Sequence, residues 1–276
     1  MEVILGGISS LLYGVADFLG GEGAKRAPAA AIVLWAGVIS FPLILIVALV
    51  IGGEAGPRDL MLGAAAGIAG AFGLVSLFAG LSRGNAAAVA PTAAAVAAVL
   101  PVLVAVIDGE RPSTLAWIGV AVAIPAIVLS SWVADPGETQ QGRFGYGLAA
   151  GLGFGGFTAI IGFTDPESNL LPLITSRAST MLAVLLLTGL GVWKLVGLGS
   201  VPGRLVVGNA VLDVSGNVAL LLAVRAGSLA LAAVAASFYP AITVLLARLV
   251  NDEHLRTRQI VGLGLTIVAM AAIAFG

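Results

Sequence analysis

The sequence predicts an all-α integral membrane protein of about ten transmembrane helices, arranged as two inverted five-helix repeats. Three observations carry this. Of 276 residues, 59% are hydrophobic and 10% charged, far below the roughly 25% charged of a soluble domain. The apolar residues form long unbroken runs, which suits helices of about 20 residues rather than barrel strands of about ten alternating residues. The chain also repeats itself. Residues 84–133 align without a gap on residues 227–276, so that Gly84 meets Gly227, Glu110 meets Glu253, Thr114 meets Thr257 and Gly119 meets Gly262. Each half holds five apolar runs, an odd number, so the second copy has to enter the bilayer from the opposite face.

The expected spans are 3–20, 29–51, 60–81, 86–107, 113–134, 144–163, 170–195, 204–224, 229–250 and 257–275. They divide the chain into a first repeat (1–135), a linker (136–143) and a second repeat (144–276). Gly147, Gly151 and Gly155, like Gly63 and Gly67, stand four residues apart, a spacing that lets helix backbones approach closely in lipid. Pro42, Pro91, Pro101, Pro125 and Pro240 fall inside spans, where each removes a backbone bond and favours a kink.

Composition also excludes function classes. A net charge of -1 with scattered Lys and Arg offers no nucleic-acid surface. With no cysteine and one histidine, His254, thiolate chemistry, disulfides and a metal centre are not expected, and no cofactor is expected. The Met1-Glu2-Val3 start lacks the basic n-region of a signal peptide, so the first run reads as a retained span.

With the termini on side A, the loops on side B carry Lys25, Arg26, Arg83, Arg143, Lys194, Arg204, Arg248, Arg256 and Arg258, against Arg58, Arg111 and Arg225 on side A. The positive-inside rule then places side B in the cytoplasm. Lys25 and Arg26 stand where the second half has Asp165 and Glu167, the opposite bias that oppositely inserted copies require.

The end of each half carries a family resemblance. Pro101 to Ser131, PVLVAVIDGERPSTLAWIGVAVAIPAIVLSS, resembles the fourth and fifth helices of an EamA repeat of the drug/metabolite transporter superfamily, and Pro240 to Gly276 resembles the second copy. In that pattern an apolar helix containing proline ends in Gly-Glu. Gly109-Glu110 fits, whereas Asp252-Glu253 puts aspartate where the glycine belongs. The resemblance implies ten helices, a central cavity lined mainly by the first four helices of each repeat, and movement of small organic molecules. It also implies cytoplasmic termini, against the charge count above.

Ionisable groups inside spans are costly and face a cavity or a partner. Arg177, Asp213 and Asp17 are the three to explain. Asp213 lies on one helical face with Asn209 and Asn217. In the duplicate register Asp213 replaces Gly70 and Asn217 replaces Leu74, so this polar face belongs to one half alone. Counting from side A, Arg177 lies roughly 12 Å deep and Asp213 roughly 16 Å, depths at which they can meet. They form either a substrate site, with Asn209 and Asn217 as hydrogen-bonding partners, or an ion pair that sets helix register.

Asp17, roughly 21 Å from side A, reads as a proton carrier in competition with substrate, as Asp213 also can, or as an interfacial aspartate paired with Lys25 or Arg26. Its nearness to the helix end favours the second. Tyr13, one turn from Asp17, and Trp35 are aromatic candidates for the substrate site, although Trp35 also suits an interfacial anchor. Tyr239 beside Pro240 is a further candidate, with packing as its ordinary role. Glu110 and Glu253 read as braces of turns, and Arg83 and Arg225 as solvated.

The function these features point to is secondary transport of a small organic metabolite, amino-acid-like or related, by alternating access in the cytoplasmic (inner) membrane. The partners would be a small-molecule substrate and membrane lipids, with room for a homodimer and no nucleic acid. An intramembrane enzyme acting on lipid-linked substrates would show clustered His, Asp or Glu near one interface. A non-transporting membrane subunit would leave the Asp213 face without a solute to serve.

Overall fold

The computed structural model describes residues 1–83, 86–109, 111–130, 140–226, 238–252 and 256–276. Within them the chain forms ten α-helices and no strand: α1 (Glu2–Ala24), α2 (Ala29–Ile51), α3 (Pro57–Leu81), α4 (Ala86–Ile107), α5 (Thr114–Ser130), α6 (Gln140–Gly162), α7 (Leu171–Gly189), α8 (Gly203–Ala226), α9 (Tyr239–Asn251) and α10 (Thr257–Phe275). Eight are long and apolar enough to cross a membrane, while α5 and α9 are shorter apolar helices. Large apolar side chains such as Leu49, Ile107, Leu186 and Leu249 are exposed on the outside of the bundle, the surface that lipid covers.

Local chemistry sets the helix ends. Pro28 precedes α2, and α2 stops at Gly52, whose φ of 74° is left-handed. Pro57 opens α3, where Asp59 accepts the Gly56 N–H at 2.9 Å, a side chain satisfying a free first-turn donor. The α4 and α9 ends echo each other. Gly109 has φ 91° and its register partner Asp252 has φ 53°, so both helices close on a left-handed residue. Glycine adopts that conformation freely and aspartate is among the few side chains that tolerate it, which accounts for the substitution in the second copy. Glu110 and Glu253 lie outside the described residues.

Several expected boundaries move. α1 runs four residues beyond the expected end at residue 20, and α3 starts three residues earlier, at Pro57. α6 begins at Gln140, inside the expected linker. α7 ends at Gly189 rather than 195, because the chain turns at Gly191 with φ 76°. The expected ninth span began at 229. Residues 227–237 lie outside the described ones, and α9 starts at Tyr239 with Pro240 in its first turn, where a missing N–H costs nothing. Pro42, Pro91, Pro101 and Pro125 lie inside helices as expected.

The helices pack through small residues. α1 lies antiparallel on α8, where Ser9 Oγ donates to Gly216 O at 2.9 Å and Asn209 Nδ2 to Ala16 O at 2.8 Å. It runs parallel to α9, whose Thr243 Oγ1 donates to Gly14 O at 3.1 Å. α3 lies antiparallel on α6, with Gly73 against Phe154 and Gly80 against Tyr146. It runs parallel to α7, where Thr175 Oγ1 donates to Leu60 O, Ser179 Oγ to Ala64 O and Thr180 Oγ1 to Gly67 O at 2.7–2.8 Å. Gly147, Gly151 and Gly155 lay α6 along α4, facing Thr92, Val96 and Leu100.

Two groups result, α1–α8–α9 and α3–α4–α6–α7. α2 lies along both α7 and α8, and the antiparallel pair α5–α10 packs against α4. α1 and α3 run the same way and meet at their C-terminal ends, where Gly20 accepts the Phe78 ring and Gly21 faces Leu81. Since α8 opposes α1 and α6 opposes α3, the first and third helices of the second half run against those of the first. This is the inversion the odd span count demands.

The glycine positions differ in what they tolerate. A Cβ on Gly67 would stand 2.1 Å from Ser176 O, a backbone atom that cannot yield, whereas a Cβ on Gly145 meets nothing within 4 Å. Gly67→Ala is expected to destabilise the protein by about 1–3 kcal/mol, as overpacking does, and Gly145→Ala to be neutral or slightly stabilising. Thermal unfolding of the two variants in detergent checks this.

Candidate functional site

Where the two helix groups part, they leave a cavity of about 240 Å³, slightly below the about 300 Å³ at which typical ligand pockets begin. Its walls come from six helices: Tyr13 and Asp17 of α1, Gly70 and Leu74 of α3, Phe154, Phe157 and Thr158 of α6, Leu173, Ser176, Arg177 and Thr180 of α7, Asp213 and Asn217 of α8, and Tyr239 of α9. All six are among the first four helices of the two halves, and among the described residues α2 and α4 contribute no lining residue. The reason is packing: α4 is spent against the glycine face of α6, and α2 covers α7 and α8, with Gly37 against Met181.

The Arg177 guanidinium is ion-paired and hydrogen-bonded to the Asp213 carboxylate. Arg177 comes from α7 and Asp213 from α8, so this pair joins the two helix groups across the cavity. The two side chains keep 18% and 23% of their surface accessible, enough for a solute in the cavity to touch both. Asn217 Nδ2 donates to Asp213 O at 2.8 Å, one turn back on α8.

Asp17 does not pair with Lys25 or Arg26. Lys25 Nζ instead lies 2.6 Å from Glu22 Oε1, which also accepts from Asn251 Nδ2 at 2.7 Å. Two turns of α1 separate Lys25 from Asp17, and the Asp17 side chain turns into the cavity, within electrostatic range of Asp213. It makes no hydrogen bond or ion pair with a described residue. Tyr13 is held beside it by Gly216, whose missing side chain admits the ring at 3.0 Å from where a Cβ would stand.

Two other candidates lie outside the cavity lining. Asn209 is buried and its amide is occupied by Ala16 O, so it braces α8 on α1 although it shares a helical face with Asp213. Trp35 donates its Nε1–H to Val196 O at 3.0 Å, pinning the segment after α7. Arg83 is more than a solvated turn residue: its guanidinium lies 4.6 Å over the Tyr146 ring, a cation–π contact between α3 and α6.

The lining includes residues the sequence reading passed over. Phe154, Phe157, Thr158, Leu173, Ser176 and Thr180 were among them, yet Leu173, Ser176, Arg177 and Thr180 share a helical spacing around a charge already singled out. The structure also explains Gly70 and Leu74. They line the cavity as the register partners of Asp213 and Asn217, and Phe154 sits on Gly73 of α3 as Tyr13 sits on Gly216 of α8. The cavity is thus walled by matching positions carrying unlike side chains.

The cavity has one closed end. On side B of Asp17, Phe18, Phe78, Leu81 and Ala86 are buried together, leaving between α1, α3, α4 and α9 a void of about 10 Å³, room for one water at most. Toward side A the lining runs to exposed Thr158 on α6 and to Leu173 in the first turn of α7. Among the described residues no group of three His, Cys, Asp or Glu is placed to hold a metal ion.

The braces and the lining are separable by mutation. Asn209→Ala and Trp35→Phe each lose one hydrogen bond and are expected to lower stability by about 1 kcal/mol while leaving ligand affinity unchanged. Thermal unfolding measured beside ligand titration tests both halves of that statement.

No curated protein matches this chain. Residues 1–132 match the EamA-like transporter family model, a stretch that covers α1 to α5 and includes the Tyr13, Asp17, Gly70 and Leu74 side of the cavity. Over residues 1–132 the chain is therefore similar to the EamA-like transporter family, and its apolar helices make it a multi-pass membrane protein.

Proposed function

We propose that the protein is a secondary transporter that carries a small organic metabolite through the Arg177–Asp213 cavity by alternating access. Residues 144–276 act as the second copy of the repeat, and the host membrane is the cytoplasmic (inner) one. The carrying observation is a cavity at mid-bundle, bounded by two helix groups, bridged by the Arg177–Asp213 ion pair and, among the described residues, closed toward side B. Polar and charged side chains at membrane depth persist where they serve a solute pathway. In alternating access the α1–α8–α9 group rocks against α3–α4–α6–α7, parting the Phe18–Phe78–Leu81 seam as the side A mouth closes. The charge count puts side B in the cytoplasm, which makes the present state open to the outside. Asp17 exchanges a proton for substrate during the cycle.

Arg177 and Asp213 are assigned to substrate binding. Arg177→Gln strands a carboxylate, and breaking a buried pair costs about 3–5 kcal/mol, so its companion is the Arg177→Gln/Asp213→Asn double variant, which removes both charges. Flux of the transported solute into proteoliposomes is expected to fall at least tenfold in both, with thermal stability recovered in the double variant. Wild-type kinetics in the folded double variant would remove the pair from the site.

The rocking motion has its own test. The chain has no cysteine, and a Cβ on Gly21 would stand 2.6 Å from Leu81 Cβ. An opening of about 1 Å brings that pair to disulfide range. Oxidised Gly21→Cys/Leu81→Cys protein is expected to bind solute from side A yet not to transport it, with transport restored by reductant. Full transport through the oxidised pair would rule out parting of this seam.

A further inference from the structure

The two walls of the cavity differ in chemistry although they occupy matching places. The α1–α8–α9 wall presents Tyr13, Asp17, Asp213 and Asn217. The positions that answer them on α6 and α3 are Phe154, Thr158, Gly70 and Leu74, beside Phe157. Tyr13 answers Phe154 because each ring lies on the corresponding glycine, Gly216 or Gly73. One wall carries both carboxylates, and the opposite one carries the phenylalanines and Leu74 together with Arg177 and the hydroxyls of Thr158, Ser176 and Thr180.

Charge among the described lining residues does not balance. Two carboxylates, Asp17 and Asp213, face one guanidinium, and Arg177 is engaged by Asp213. Asp17 has no partner among the described residues, and the hydroxyls of Tyr13 and Tyr239 make no hydrogen bond to a described residue either. An isolated carboxylate in a low-dielectric cavity gains from a cation brought by the ligand. Aromatic faces around it attract the same kind of group through their quadrupoles.

We propose that the ligand of this cavity is an amphipathic organic amine, its ammonium group bound at Asp17 between Tyr13 and Tyr239 and its apolar or aromatic body laid against Phe154, Phe157 and Leu74. This rests on the transport reading for its setting and deepens it by naming the substrate class. The bound amine lies against the Arg177–Asp213 pair, which stays intact in the complex, so that the guanidinium keeps Asp213 from competing for the ammonium. A carboxylate on the ligand would meet the unpartnered Asp17 with like charge and is rejected.

The test uses the purified full-length chain in detergent, with tryptophan fluorescence and thermal unfolding as readouts. The probes are 2-phenylethylamine, 3-phenylpropionate, phenylalanine and ethylamine. The amine is expected to bind at least tenfold tighter than 3-phenylpropionate or phenylalanine, and ethylamine to bind weakly for want of a body. Asp17→Asn is expected to lose at least tenfold in 2-phenylethylamine affinity, and Asp17→Glu to keep the order of preference. Phe157→Ala is expected to weaken 2-phenylethylamine and leave ethylamine unchanged. The wild-type order of probes decides the question even where the Asp17→Asn variant fails to fold. An anion or zwitterion binding as tightly as the amine, or an unchanged amine affinity in folded Asp17→Asn, overturns the proposal. Flux of another solute without amine binding also overturns it and leaves the transporter reading intact; amine binding without flux does the reverse.

Discussion

In hydrocarbon, two helices gain nothing by hiding leucine from each other, so this bundle depends on backbone brought against backbone. Three of the contacts have the same construction. A glycine removes the side chain that would hold the helices apart, and a serine, threonine or asparagine reaches across to a carbonyl. Gly67 with Thr180, Gly14 with Thr243 and Gly216 with Ser9 are three instances. The arrangement leaves few polar groups without partners and keeps the apolar bulk on the outside for lipid.

The same construction determines where the proposed rocking motion parts the bundle. Side-chain-to-backbone bonds run within α1–α8–α9 and between α3 and α7, while α6 and α4 join the second group through glycine contacts. Between the groups the side B seam is apolar packing around Phe18, Phe78 and Leu81, side chains that have no hydrogen bonds to break when it parts. The ion pair from Arg177 to Asp213 is the polar link across the cavity. Rigid units meeting at a smooth seam are what a rocking motion needs, and the cavity lies on that seam.

Duplication with divergence accounts for the chemistry of the site. An inverted repeat alone would give two identical walls and a cavity without polarity. Here the matching positions have parted: Asp213 against Gly70, Asn217 against Leu74, Tyr13 against Phe154. The frame stays symmetric because glycine contacts set it. The lining is free to differ because nothing packs into the space it faces.

Much of this was legible in the residues. Composition, span count and the 84–133 to 227–276 correspondence determined a ten-helix inverted bundle, because apolar length and odd repeat number leave few alternatives in a bilayer. Helical rise alone brought Arg177 and Asp213 to similar depth. The glycine spacings marked the tight interfaces for the same reason, since a missing side chain is visible in sequence. Rotation about each helix axis and the choice of neighbour were not legible, being set by contacts hundreds of residues apart in the chain. Only the tertiary structure turned Asp17 into the cavity and gave Lys25 to Glu22, took Asn209 away as a brace, set Trp35 on Val196, and placed Phe154 and Phe157 opposite the acids. Periodicity shows which residues share a face, but a face acquires its role from the helix packed against it.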